Sequence, residues 1–78
     1  MTNENVTYEK FIITVPEVAR HYEWRYGQAL FNLLAKVRPH LAWKIRGGQL
    51  DPFYRDLDGI PLELWTLLQA EWDLEYAG

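Results

Sequence analysis

The sequence predicts a small all-α domain, and three observations lead to that prediction. Two stretches repeat apolar residues at three-to-four spacing, the period of a helix with one buried face. Prolines stand at expected helix starts and paired glycines at an expected end. The stretch KFIITV alone resembles a strand, and it has no second strand to pair with. We expect one bundle of two longer and two or three short helices over all 78 residues, with residues 1–6 and 75–78 frayed.

The clearest predicted helix covers residues 24–37. Polar residues occupy the side opposite its apolar stripe. Gly27 and Phe31 form a third edge, where another backbone can approach the helix closely. The apolar stripe consists of Tyr26, Ala29, Leu30, Leu33, Leu34 and Val37.

Prolines mark the two helices that follow. Pro39 ends the first helix and begins a short one over residues 39–46, which Gly47 stops in a left-handed conformation. Pro61 begins the C-terminal helix, whose opposite side is largely acidic. The predicted inward face of that helix carries Leu64, Trp65, Leu68 and Trp72.

The N-terminal stretch is expected to form two short helices. Thr7 caps a helix over residues 8–13, the chain turns before Pro16, and residues 16–22 add another turn or two of helix. The alternative for residues 8–15 is a strand that pairs across a homodimer, because a strand of this composition needs a partner.

The stretch IRGGQLDPFYRD, residues 45–56, has two interpretations. In the first it is a structural corner, where Asp51 caps the next turn and pairs with Arg55. Phe53 and Tyr54 then fill the gap between the central helices and the C-terminal helix. In the second it is a rigid aromatic knuckle that exposes Tyr54, is flanked by Arg46 and Arg55, and docks on another molecule. We prefer the first interpretation.

The residue types argue against catalysis. The chain has no cysteine and no serine, and its two histidines, His21 and His40, lie far apart in the sequence. We therefore predict a protein that is not an enzyme and that binds no metal or cofactor. No apolar run is long enough to span a membrane, and the first residues lack the pattern of an export leader. Together with the absence of cysteine, this predicts a cytoplasmic protein.

Charge is segregated along the chain. Residues 26–50 carry four bases and no acid, whereas residues 51–78 carry seven acids and one base, within a net charge of −3. Such a chain either pairs its two signs internally, which we prefer, or presents them to different partners. The basic segment 36–46 offers an alternative function, the binding of nucleic acid or a small anion. This alternative site consists of Lys36, Arg38, His40, Trp43, Lys44 and Arg46.

The stretches EWRYGQALFN, IRGGQLDPFYRD and IPLELW together resemble a group of small proteins of bacteriophages and some bacteria that has no assigned activity. The resemblance implies a phage-like context, the host cytoplasm and the binding of a host protein. Gly48 departs from the pattern, in which a hydroxyl residue is expected. The matching positions are Trp24, Arg25, Gly27, Gln28, Asn32, Arg46, Gly47, Asp51, Pro52, Phe53 and Tyr54.

The prediction for function is a non-enzymatic protein-binding module. Its partner is a host protein or a second copy of the chain, because twelve aromatic rings are many to bury in one small monomer. The predicted binding surface consists of Trp24, Arg25, Gln28, Asn32, Arg46, Phe53 and Tyr54.

Overall fold

The computed structural model describes residues 6–74 and contains four α-helices. These are α1 (Tyr8–Tyr22), α2 (Tyr26–Val37), α3 (Pro39–Ile45) and α4 (Leu62–Glu71), with a 3₁₀ turn at Leu57–Gly59. No strand occurs in residues 6–74, so the prediction of a small all-α domain is confirmed. Fraying was predicted for residues 1–6 and 75–78, of which 1–5 and 75–78 lie outside the described residues. Val6 is described, and its carbonyl oxygen accepts two side-chain hydrogen bonds.

The N-terminal helix α1 is one continuous helix, and the prediction of two short helices is wrong. It begins as predicted, because the Thr7 hydroxyl oxygen accepts a hydrogen bond of 3.0 Å from the Lys10 amide. Pro16 lies inside the helix on its exposed side. Phe11 and Val15 are fully buried on the other side, and this packing holds the helix through the proline. The strand alternative for residues 8–15 is therefore also wrong.

A tight turn joins α1 to α2. Glu23 adopts a left-handed conformation with φ of 58°, and the Trp24 amide donates a hydrogen bond of 2.9 Å to the Ala19 carbonyl. The Trp24 ring stacks on the Tyr22 ring, with their centroids 4.5 Å apart. Because residues 24 and 25 belong to this turn, α2 begins at Tyr26, two residues later than predicted.

One hydrophobic core unites all four helices. The predicted inward faces of α2 and α4 are confirmed, although Tyr26, Leu33 and Trp65 are only partly buried. The buried apolar residues of the helices are Phe11 and Val15 from α1, Ala29, Leu30, Leu34 and Val37 from α2, Leu41, Ala42 and Ile45 from α3, and Leu64 and Leu68 from α4. Burial of this apolar surface is the main contribution to stability in a chain without cysteine.

The edge predicted at Gly27 and Phe31 is confirmed, and the backbone that approaches it belongs to residues 52–55. The Gly27 amide donates a hydrogen bond of 2.8 Å to the Arg55 carbonyl. A Cβ atom at position 27 would overlap the carbonyl oxygens of Pro52 and Arg55. Only glycine therefore allows this approach. The Phe31 ring then meets the Phe53 ring edge to face, at a centroid distance of 6.1 Å.

Arg38 is buried between α2 and α3, although the sequence places it in an exposed basic segment. Its side chain is 2% exposed and lies over the Trp72 ring, 4.6 Å from the centroid. The guanidinium donates hydrogen bonds to the carbonyl oxygens of Trp72 (2.8 Å), Val37 (2.7 Å) and Val6 (3.1 Å). The Trp72 indole donates to the same Val6 oxygen at 2.9 Å. The buried cation thus links both ends of the described chain.

Candidate functional site

A groove of about 440 Å³ opens between α2, α3 and the corner that follows α3. Its volume lies in the range of known ligand sites. Gly47, with φ of 75° as predicted, ends α3 and turns the chain back across α2. We call this feature the aromatic groove; it is lined by Phe31, Ala35, Pro39, Ala42, Trp43, Arg46, Asp51, Phe53 and Tyr54.

Asp51 holds the corner of the groove in place. One carboxylate oxygen accepts a hydrogen bond of 2.7 Å from the Gly47 amide, and the other accepts one of 3.0 Å from the Phe53 amide. The predicted capping role of Asp51 is therefore confirmed. The predicted pairing with Arg55 is wrong, because the Arg55 guanidinium donates to the Gly59 carbonyl at 3.2 Å instead.

The two aromatic residues of the corner point in different directions. Phe53 is half-buried against Phe31 of α2 and lines the groove. Tyr54 is 84% exposed and lies 4.9 Å from Phe53, so the prediction that it fills an internal gap is wrong. Trp43, on α3, is 69% exposed and belongs to the same groove. The rings of Trp43 and Tyr54 are therefore exposed to solvent at one apolar depression.

The charged side chains at the groove are those of Arg46 and Asp51. The Arg46 guanidinium lies over the Trp43 ring, 5.6 Å from its centroid. Arg46 forms no ion pair within residues 6–74, and both oxygens of the nearby Asp51 accept backbone amides. The groove thus combines apolar lining residues, two exposed rings and the guanidinium of Arg46.

The predicted binding surface is divided in the structure. Arg46, Phe53 and Tyr54 line the aromatic groove, whereas the other four predicted residues do not. Arg25 lies 3.9 Å from Asp56, in an exposed ion pair. The four residues outside the groove are Trp24, Arg25, Gln28 and Asn32. Trp24 stacks on Tyr22, and Gln28 and Asn32 are half-buried on α2.

The alternative anion-binding set is divided as well. Trp43 and Arg46 line the groove, while Arg38 is buried in the interior. Lys44 pairs with Glu71 of α4 at 2.7 Å and, with His40, borders a separate depression against that helix. Lys36 is exposed on the last turn of α2 and does not line the groove.

Sequence reasoning missed five lining residues as site residues, namely Phe31, Ala35, Pro39, Ala42 and Asp51. Three of them extend the spacing of Phe31 across the junction of α2 and α3, at three-to-four intervals that reach Arg46. That interval was the available signal. This spacing was missed because Pro39 separates two predicted helices, and the spacing of residues was followed only within each helix. Asp51 was recognised only as a capping residue.

Titratable groups with altered acidity lie away from the groove. Burial raises the pKa of the Tyr8 phenol, a hydrogen bond from Gln69 opposes that rise, and the negative charge of Glu9 adds to it. Burial also raises the pKa of Tyr26. Within residues 6–74, no three His, Cys, Asp or Glu side chains form a group that could hold a metal ion.

The helices of the described part of the chain are short or polar. No helix in residues 6–74 combines the length and the apolar character needed to cross a bilayer.

Comparisons of the chain with protein-family models, curated proteins and solved structures found no match. The resemblance to phage-type proteins therefore stays a prediction, and the aromatic groove is the basis for a proposed function.

Proposed function

We propose that this protein is a non-enzymatic protein-binding module whose aromatic groove holds a segment of another protein. The exposure of Trp43 and Tyr54 around one apolar depression carries this proposal. Tryptophan, tyrosine and arginine contribute most of the affinity at many protein interfaces, and the groove offers all three. In the phage-like context that the resemblance implies, the partner is a host protein.

The construction of the groove supports binding by a preformed surface. Asp51 fixes the corner through two backbone amides, and Gly27 holds the backbone of Arg55 against α2. Phe53 is packed between Phe31 and Tyr54. Little conformational freedom is then lost when a partner segment binds, which leaves more of the interaction energy as affinity.

The division of the basic residues favours a protein partner over nucleic acid. Binding to a phosphate backbone depends on several cations that act along one surface. Arg38 is buried and Lys44 is paired with Glu71, so the basic segment does not present its cations together. An apolar side chain, in contrast, finds a matching depression between Trp43 and Phe53.

A selection experiment tests the proposal. The full chain is used to select short random peptides from a display library, and selected peptides are mapped on the protein by amide chemical shifts. We expect the shifts to cluster at the groove and the double variant Trp43→Ala, Tyr54→Ala to lose binding by about tenfold or more. Tyr22→Ala is the matched control, because Tyr22 is an exposed ring on α1 away from the groove.

Other outcomes would contradict the proposal. Recovery of no peptide above background, or shifts that cluster elsewhere, would show that the groove is not a docking site. Binding of single-stranded oligonucleotides with steep salt dependence would assign the surface to nucleic acid. Self-association in sedimentation that Trp43→Ala abolishes would make a second copy the occupant of the groove.

A further inference from the structure

The two charged residues that line the aromatic groove, Arg46 and Asp51, differ in the hydrogen bonds they make. The two helical walls of the groove belong to α2 and α3, and the segment 26–50 that contains them has bases but no acid. Among residues 6–74, the carboxylate that lines the groove is that of Asp51, whose two oxygens accept hydrogen bonds from backbone amides. Arg46 therefore supplies the charged N–H donors of the lining to an incoming segment, whereas the oxygens of Asp51 are engaged by the backbone.

The position of Arg46 over Trp43 determines whether the groove favours a cationic or an anionic ligand group. A cationic ligand group at Trp43 would compete with the guanidinium for the ring and would be repelled by it. A carboxylate, in contrast, is attracted to the guanidinium. A guanidinium stacked on a ring keeps N–H groups at its edge, and a carboxylate accepts two of them in parallel.

The apolar part of the groove determines the second feature of the ligand. Phe31, Ala42 and Phe53 present hydrocarbon, and the volume of about 440 Å³ accommodates a large side chain. The exposed rings of Trp43 and Tyr54 add apolar contact area at the groove. Because Arg46 lines the same groove, the apolar side chain and the carboxylate must lie close together in the ligand.

We infer that the aromatic groove recognises an acidic–aromatic peptide segment, in which an aspartate or glutamate that pairs with Arg46 lies within a few residues of a large apolar side chain. This inference rests on the proposed function of the groove and specifies the partner's chemistry. The apolar side chain provides most of the affinity, and the carboxylate provides selection against neutral and basic segments.

The test compares peptide selections on three proteins. Random-peptide libraries are selected in parallel on the wild type, on Arg46→Glu and on Lys10→Glu, which has the same change of charge on an exposed residue of α1. We expect acids beside Trp, Phe or Leu in the wild-type pool and in the Lys10→Glu pool. The Arg46→Glu pool should lose that preference and gain Lys or Arg.

A selected peptide then provides a quantitative check. Replacing its acid by the matching amide should weaken binding to the wild type by about fivefold to tenfold, as for an accessible charge-assisted pair. The same replacement should have little effect on binding to Arg46→Gln, because the two changes remove the same contact. Arg46→Lys should recover only part of the acid preference, since lysine cannot form the two parallel bonds.

The outcomes separate this inference from the proposed function. Peptides that map to the groove without any preference for acids would overturn the inference and leave the binding function intact. An acid preference that survives in Arg46→Glu would also overturn it. A failure of every library to yield a groove-binding peptide would overturn both. Amide spectra of each variant confirm that the fold is retained, as expected for the exposed Arg46.

Discussion

The amide nitrogen of Gly27 donates a hydrogen bond of 2.8 Å to the carbonyl oxygen of Arg55. This bond seats the corner against the first turn of α2, where Pro52 is also buried. The contact joins residues 28 positions apart in the chain. It positions the aromatic groove, because Phe53 and Tyr54 lie between Pro52 and Arg55.

The first prediction concerns this close approach. Gly27→Ala should lower the free energy of unfolding by about 2–3 kcal/mol, because the new methyl group would overlap two backbone carbonyls that cannot move independently. The loss should exceed the gain of roughly 1 kcal/mol that alanine brings to a helix. Urea unfolding monitored by circular dichroism measures the change.

Gly48→Ala is the matched control for Gly27→Ala. A Cβ atom there would lie 3.5 Å from the Ile45 carbonyl oxygen, at an ordinary contact distance. We expect stability to change by less than about 0.5 kcal/mol. Equal losses at positions 27 and 48 would contradict the argument from close approach.

The second prediction concerns the buried Arg38. Arg38→Met keeps much of the side-chain volume but leaves the carbonyls of Trp72, Val37 and Val6 without this donor. Because buried acceptors that lose a charged donor are costly, we expect unfolding to become easier by about 3 kcal/mol. Denaturant unfolding followed by tryptophan fluorescence measures the loss.

Arg20→Met tests whether that effect depends on burial. Arg20 is exposed near the end of α1, so its loss should cost about 0.5 kcal/mol or less. Equal unfolding free energies for Arg38→Met and Arg20→Met would show that the hydrogen bonds of Arg38 do not stabilise the fold.

The third prediction concerns alkaline pH. The pKa of Tyr26 is raised in the fold by burial and by the nearby Tyr8, so the folded state favours the neutral phenol. This contribution is complete below the unfolded pKa of about 10 and is lost as the pH rises through the higher folded value. Stability should therefore fall at strongly alkaline pH.

Tyr26→Phe separates this effect from other alkaline titrations. The variant cannot ionise at position 26, so its unfolding free energy should decline less steeply than that of the wild type between about pH 8 and about pH 11. Urea unfolding at several pH values gives the two slopes. Identical slopes would show that ionisation of Tyr26 is not coupled to folding.

Much of the fold could be predicted because its signals are local. The spacing of apolar residues identified α2 and α4 with their inward faces, and Thr7 and Gly47 act as predicted at helix ends. The edge at Gly27 was also predicted, since glycine beside a helical stripe leaves room for a backbone. Each of these conclusions depends on residues a few positions apart.

The candidate site could be predicted only in part. Arg46, Phe53, Tyr54 and Trp43 were singled out from the sequence, but in two separate sets that the groove combines. The orientation of Tyr54 depends on how the turn held by Asp51 meets α2. This contact between the turn and α2 cannot be predicted from the pattern of residue types along the chain.

The sequence by itself determined the helical class and the inward faces of α2 and α4, because the spacing of apolar residues along a helix is a local property. Only the tertiary structure decided that α1 continues through Pro16 and that Arg38 points inward. Both depend on distant partners: core packing compensates for the proline, and Trp72, 34 residues from Arg38, supplies an acceptor. Long-range contacts override local preference wherever burial contributes more free energy than the local rule.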